Sequence, residues 1–165
     1  MGVRFQIWGA ILLAGSVILS GGCDSVPADP NGTLANIRSG TLSVGLSVRR
    51  PWTGSTRQYV DGVECRLLEQ WADENEVPIE WRVLTETELV NALKRGEIQV
   101  AVAGFKDDSP WSKEVAMTQP YFEDEEGRHV MLLPQGENRW LLELDRFLAR
   151  QRPNIEAMLR EESAR

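Results

Sequence analysis

The chain has 165 residues, with 25 acidic and 18 basic side chains, a formal net charge of −7 at pH 7 and one histidine. Such an acidic balance speaks against nucleic-acid binding, which needs a basic face to displace counterions, and a lone histidine leaves little for a metal cluster or a histidine-based triad. The length fits one domain with a single core.

At the amino terminus Arg4 gives a positive n-region and Ile7 to Leu19 is an apolar run. That run is shorter than the roughly 20 residues a spanning helix needs, so it reads as a cleaved leader. The small residues Ser20-Gly21-Gly22 before Cys23 resemble the lipobox of bacterial lipoproteins, although Leu19 sits one place further from the cysteine than usual. The resemblance implies a signal peptide over residues 1–22 and lipidation of Cys23. It also implies a place in the cell envelope, at the outer face of the inner membrane or in the periplasm. An ordinary signal peptide with an incidental cysteine is the competing reading. Ser25 to Gly32 is rich in Pro, Asp, Asn and Gly, so 23–40 is expected to be a lipidated cysteine and flexible tether. Cys65 is the one other cysteine, which leaves no internal disulfide once Cys23 carries lipid.

From Thr41 short strands alternate with helices. Leu42 to Leu46 reads as a strand. Gly62 to Asn75 places Val63, Leu67, Leu68, Trp71 and Ala72 on one helical face. Pro78 to Val83 is the next strand, with Ile79, Trp81 and Val83 on one side. Thr85 with Glu88 forms a capping-box signal for a helix that Gly96 stops. Ile98 to Ala103 is nearly uninterrupted apolar sequence, as expected of a strand covered on both sheet faces. Helix-linked strands in this order normally lie parallel with right-handed crossovers. The stretch Gly96 to Tyr121 is therefore a helix stop, a central strand and a polar loop at that strand's carboxyl end, where open α/β sheets hold ligands.

Val44-Gly45-Leu46 through Pro51-Trp52, Gly62-Val63-Glu64, Leu93 to Glu97 and Pro110 to Tyr121 follow in order and spacing the first lobe of family 3 bacterial extracellular solute-binding proteins. These are the receptors of ABC importers for amino acids and related molecules, and the resemblance runs from about Gly40 to Gln151. It implies an α/β fold: a single periplasmic-binding-protein-like lobe over 41–151, with a mostly parallel sheet flanked by helices and a C-terminal helical tail over 152–165. Two departures stand out. Family members for amino acids carry a Thr in the loop and an Arg three residues on, which clamp the ligand carboxylate. Here Asp108 and Trp111 occupy those places. An acid and an aromatic suit a cationic, neutral or aromatic ligand, with Trp111 offering a stacking face; packing of the loop onto the core is its alternative role. The second departure is length. Tyr121-Phe122 is followed almost at once by an acidic turn, Glu123 to Gly127, a strand at His129 to Leu133 and an amphipathic helix with Trp140, Leu141, Leu144, Phe147 and Leu148 on its apolar side. That strand and helix look like the family's returning segment, so the second lobe is missing.

The expected ligand surface comprises Trp52, Glu64, Gly104, Asp108, Ser109, Trp111 and Tyr121. Core packing is the competing role for Trp52, and capping for Glu64. His129 reads as a strand residue facing a polar edge, Asp107 and Asp108 as a solvated loop, and Cys65 as a packed helix residue. No cofactor or metal is expected. The chain is read as non-enzymatic, because no nucleophile, base and orienter can be named together. The reading is a membrane-tethered solute receptor for a small polar, amino-acid-like, cationic or aromatic molecule, with an ABC permease as possible partner. The alternative is an interaction module that docks onto an envelope enzyme or transporter after loss of transport.

Overall fold

The computed structural model describes residues 29–164; the leader and Cys23 lie outside the described residues. Helix α1 (Thr33–Ser39) leads to strand β1 (Leu42–Leu46) and a small hairpin of β2 (Gly54–Ser55) and β3 (Val60–Asp61). Next come α2 (Val63–Glu74), β4 (Ile79–Val83), α3 (Glu86–Lys94) and β5 (Val100–Lys106). A 3-10 turn (Pro110–Lys113), β6 (Ala116–Met117), β7 (Phe122–Asp124), β8 (Gly127–Leu133) and α4 (Asn138–Ser163) complete the chain.

The main sheet runs β4-β1-β5-β8-β6, with β7 also paired to β8. β1 is parallel to both β4 and β5, whereas β8 returns antiparallel to β5. The period-2 alternation of the strands sorts their side chains onto two cores. Leu42, Val44, Leu46, Val100, Val102, Met131 and Leu133 face α2 and α4. Ala101, Ala103, Phe105, Val130 and Leu132 face α3 through Leu89 and Leu93. Both faces are covered, which is why β5 and the end of β8 read as unbroken apolar runs. Gly45 keeps α3 close: a Cβ there would lie 2.4 Å from Leu89 Cδ2 and 2.6 Å from Ile98 Cδ1.

The expected capping box is formed: Thr85 Oγ1 accepts from the Glu88 N–H at 3.4 Å, and the Glu88 carboxylate accepts from the Thr85 N–H at 2.8 Å. Two expected boundaries differ from the structure. The tether expected over 23–40 gives way to folded chain within the described part, because Leu34 and Ile37 are buried and Glu137 accepts hydrogen bonds from Asn31 and Thr33. No separate tail begins at 152 either. α4 runs on through Pro153, since Ile155 and Met158 continue its buried apolar side. The chain turns straight back from β7 into β8, and the described residues form one lobe.

Candidate functional site

The carboxyl end of β5 sits over a closed polar floor. Glu64, in the first turn of α2, is fully buried; its carboxylate accepts from the Gly104 N–H at 2.8 Å and from the Tyr121 hydroxyl at 2.6 Å. Burial is the main cause that pushes the Glu64 pKa up to about 7, against the lowering by those two donors. Burial also raises Tyr121, and the neighbouring Glu64 carboxylate adds to that shift.

Trp52 lies beside this pair, edge-on to Tyr121 at 6.1 Å and stacked on His129 at 3.9 Å. His129 is fully buried, and its Nε2 lies 2.9 Å from Asp124 Oδ2 while Nδ1 has no hydrogen-bond partner among the described residues. The sequence reading put His129 at a polar edge. The structure instead covers β8 with the ring of Trp52, a contact across loops that no local pattern encodes. Gly104 closes the arrangement: its φ is +58°, and a Cβ there would come within 2.6 Å of the Trp52 ring.

Above the floor lies a shallow depression of about 160 Å³, lined by Arg49, Glu86, Ala103, Gly104, Phe105, Lys106 and Ser109. Arg49 follows β1 and Glu86 opens α3 after β4, so three adjacent parallel strand ends converge here. The Arg49 guanidinium stands 3.8 Å from the Glu86 carboxylate, with both side chains about half exposed, and Lys106 pairs with Glu126 at 3.1 Å. The loop beyond is held by local bonds. The Ser109 N–H donates to the Lys106 carbonyl at 3.0 Å, Asp107 pairs with Arg128, and the half-buried Trp111 packs against the α3 core.

The expected ligand residues thus separate. Gly104 and Ser109 line the depression, Asp108 is exposed beside it, and Trp111 takes the packing role open to it. Trp52, Glu64 and Tyr121 are brought together, but beneath the surface, at 4%, 0% and 2% exposure. Arg49, Glu86 and Lys106 were absent from the sequence-derived set. Their position at strand carboxyl ends was the available signal, because the topological rule that selected the β5 loop applies equally to β1 and β4.

Elsewhere, a cleft of about 600 Å³ lies at the opposite end of the sheet, where Lys94 is paired to Glu114 at 2.7 Å and Arg95 to Glu97 at 2.5 Å. Of the two, only the smaller depression lies at the carboxyl strand ends, where open α/β sheets bind ligands. Among the described residues no group of three or more potential metal ligands is found. Cys65 is buried, and burial pushes its thiol pKa up, away from reactivity.

Residues 42–160 match the family model described as bacterial extracellular solute-binding proteins, family 3. No curated protein matches the sequence. Among solved structures, the arginine-bound form of domain 1 from TmArgBP aligns with TM-score 0.64 at 21% identity, covering 70% of this chain and 97% of that one. An amino acid ABC transporter substrate-binding protein from Streptococcus pneumoniae, bound to L-arginine, aligns with TM-score 0.71 at 11% identity over 81% of this chain and 98% of that one. An ancestral amino acid-binding protein described as a precursor of cyclohexadienyl dehydratase aligns with TM-score 0.65 at 11% identity, covering 79% and 96%. At these identities the likeness is one of fold.

Proposed function

We propose that this chain, which belongs to family 3 of the bacterial extracellular solute-binding proteins, is a non-catalytic receptor lobe that holds a small polar solute on the open rim above β5. The observation that carries the reading is the convergence of Arg49, Glu86 and Ser109 on the depression at the strand carboxyl ends. The loose Arg49–Glu86 pair can open to a zwitterion, its guanidinium taking a carboxylate and its carboxylate an ammonium. The pair would then serve in place of the arginine clamp whose position Trp111 occupies. The arginine-bound relatives of the same fold support an amino-acid-like, cationic ligand.

A single lobe covers one side of its ligand, so desolvation and affinity are modest. A permease of the ABC type is the partner this reading implies, and a lipid on Cys23 would hold the lobe at the membrane. Catalysis has no support at the site: Glu64, with a pKa near neutrality, is sealed from solvent by its bonds to Gly104 and Tyr121.

Thermal melts with and without L-arginine, L-glutamate and neutral amino acids test the proposal. A ligand at a hundred times its Kd stabilises by about 2.7 kcal/mol. Arg49→Ala and Glu86→Ala should each remove that gain. Absence of any shift across the proteinogenic amino acids would count against the receptor reading.

A second reading, docking to an envelope protein, draws on Val48 and Val83. Both are 55% exposed at the ends of β1 and β4, forming an apolar rim beside the charged pair. Co-purification of an envelope protein that is lost in Val48→Asp would favour it.

A further inference from the structure

β4 is a bare edge. Among the described residues nothing pairs with its outer side, and all five of its residues align with β1 without a bulge. The hydrogen bonds that bracket the strand, from the Leu42 N–H to the Pro78 carbonyl and from the Leu84 N–H to the Leu46 carbonyl, fix which backbone groups face which way. In a parallel ladder of this register, Glu80 and Arg82 direct their N–H and C=O groups at β1. The N–H and C=O groups of Ile79, Trp81 and Val83 therefore point outward. Sheet edges are commonly blunted by a proline, a bulge or charged side chains; β4 has neither proline nor bulge within its bounds, and its two charges, Glu80 and Arg82, are of opposite sign.

Its side chains are also self-complementary. We propose that β4 is the edge through which two copies of this chain pair, antiparallel about a two-fold axis at Trp81. In that register Ile79 stands opposite Val83 of the second copy, and Trp81 opposite Trp81. These are the residues whose backbone groups are free, so each of the three pairs exchanges two backbone hydrogen bonds. Glu80 then falls opposite Arg82 of the second copy, and Arg82 opposite Glu80, at the non-hydrogen-bonded sites where facing side chains come closest.

Both charges are available for this role. Among the described residues Glu80 makes no ion pair, and the exposed Arg82 is held only by a long hydrogen bond to the Glu97 carbonyl at 3.4 Å and a 3.9 Å approach to its carboxylate, which Arg95 holds at 2.5 Å. On the other face, Ile79 and Trp81 already pack against the α2/α4 core, so the joint sheet continues that apolar layer across the axis. Slipping the register by one residue would oppose outward-facing groups to inward-facing ones, which favours this alignment over its neighbours.

The geometry has a consequence for the rim. Antiparallel pairing sends the carboxyl ends of the two copies' parallel strands in opposite directions, so neither copy covers the other's depression. Dimerisation is thus independent of solute binding.

The test is sedimentation equilibrium of the full chain in density-matched mild detergent. The wild type should shift from monomer to dimer as concentration rises. Glu80→Arg and Arg82→Glu, each alone, place like charges opposite one another and should remain monomeric. An equimolar mixture of the two variants should recover the dimer mass, as should the Glu80→Arg/Arg82→Glu double variant by itself. Val83→Pro removes an outward N–H without touching the β1 ladder, and should be monomeric with an unchanged melting temperature. A wild type that stays monomeric throughout overturns the proposal, and so does a dimer that single charge reversal leaves intact. Solute-induced thermal shifts should be the same in the monomeric variants, so failure of the receptor reading leaves this result standing and the converse also holds.

Discussion

Two layers at the carboxyl end of β5 are separated by a single residue, Gly104, and differ in almost every physical respect. Below it, Glu64, Tyr121, Trp52 and His129 are shut away from water and bound to one another. Above it, Arg49, Glu86 and Lys106 are exposed in part and held by pairs that water screens. A buried polar group must find its partner at folding, because leaving one unmade costs the full desolvation of the other. An exposed charge faces no such demand. The floor is therefore specified by stability, whereas the rim is left free to meet a ligand.

Substitutions on the two layers should part accordingly. Trp52→Ala, which empties a site between Tyr121, Phe122 and His129, should cost about 4 kcal/mol in chemical denaturation. A loss below about 1 kcal/mol would mean that the ring is not the keystone of the floor. Gly104→Ala comes next, at about 3 kcal/mol, combining a left-handed backbone with a Cβ driven into the Trp52 ring.

The third test uses pH. Glu64 has a folded-state pKa of about 7 against an ordinary value of 4.5, so between those values the folded chain keeps a proton that the unfolded chain has lost. Its contribution is fully present below about 4.5, declines as pH rises toward 7 and is flat beyond. The decline amounts to about 3 kcal/mol at most. Stability measured across pH 4 to 8 should lose this falling limb in Glu64→Gln, and a limb of equal depth in that variant would assign the titration to another group.

The smallest stability effect is expected on the rim. Arg49→Ala should change the unfolding free energy by less than roughly 0.5 kcal/mol, as for an exposed pair, while abolishing any solute-induced shift in melting temperature. If it destabilised the chain as strongly as a floor variant, the division between the layers would collapse.

Much of the scaffold was legible along the chain. β1 was read at its observed bounds, Leu42–Leu46, because a short apolar run of strand length ends there near a glycine. The α3 start was equally clear, since Thr85 and Glu88 carry their capping partners within four residues. β5 was read as ending at Ala103, whereas it continues to Lys106. Gly104 resembles a terminator in sequence, yet its bond to Glu64 and its contact with Trp52 keep the strand going. α1 was hidden for a different reason. Seven residues carry too little periodicity to announce a helix, and its buried side exists only because α4 passes over it.

The sequence by itself determined the order of strands and helices, the two-faced burial of β5 and the likeness to a solute-binding lobe. These rest on periodicity, caps and spacing, which act between near neighbours in the chain. Only the tertiary structure decided the placement of the site residues. Trp52, Glu64, Gly104, Tyr121 and His129 are scattered along the sequence, and their roles follow from distances and solvent access that no local pattern contains. A tryptophan or glutamate looks the same in a ligand cleft and in a floor. Burial tells them apart, and burial is a property of the folded chain.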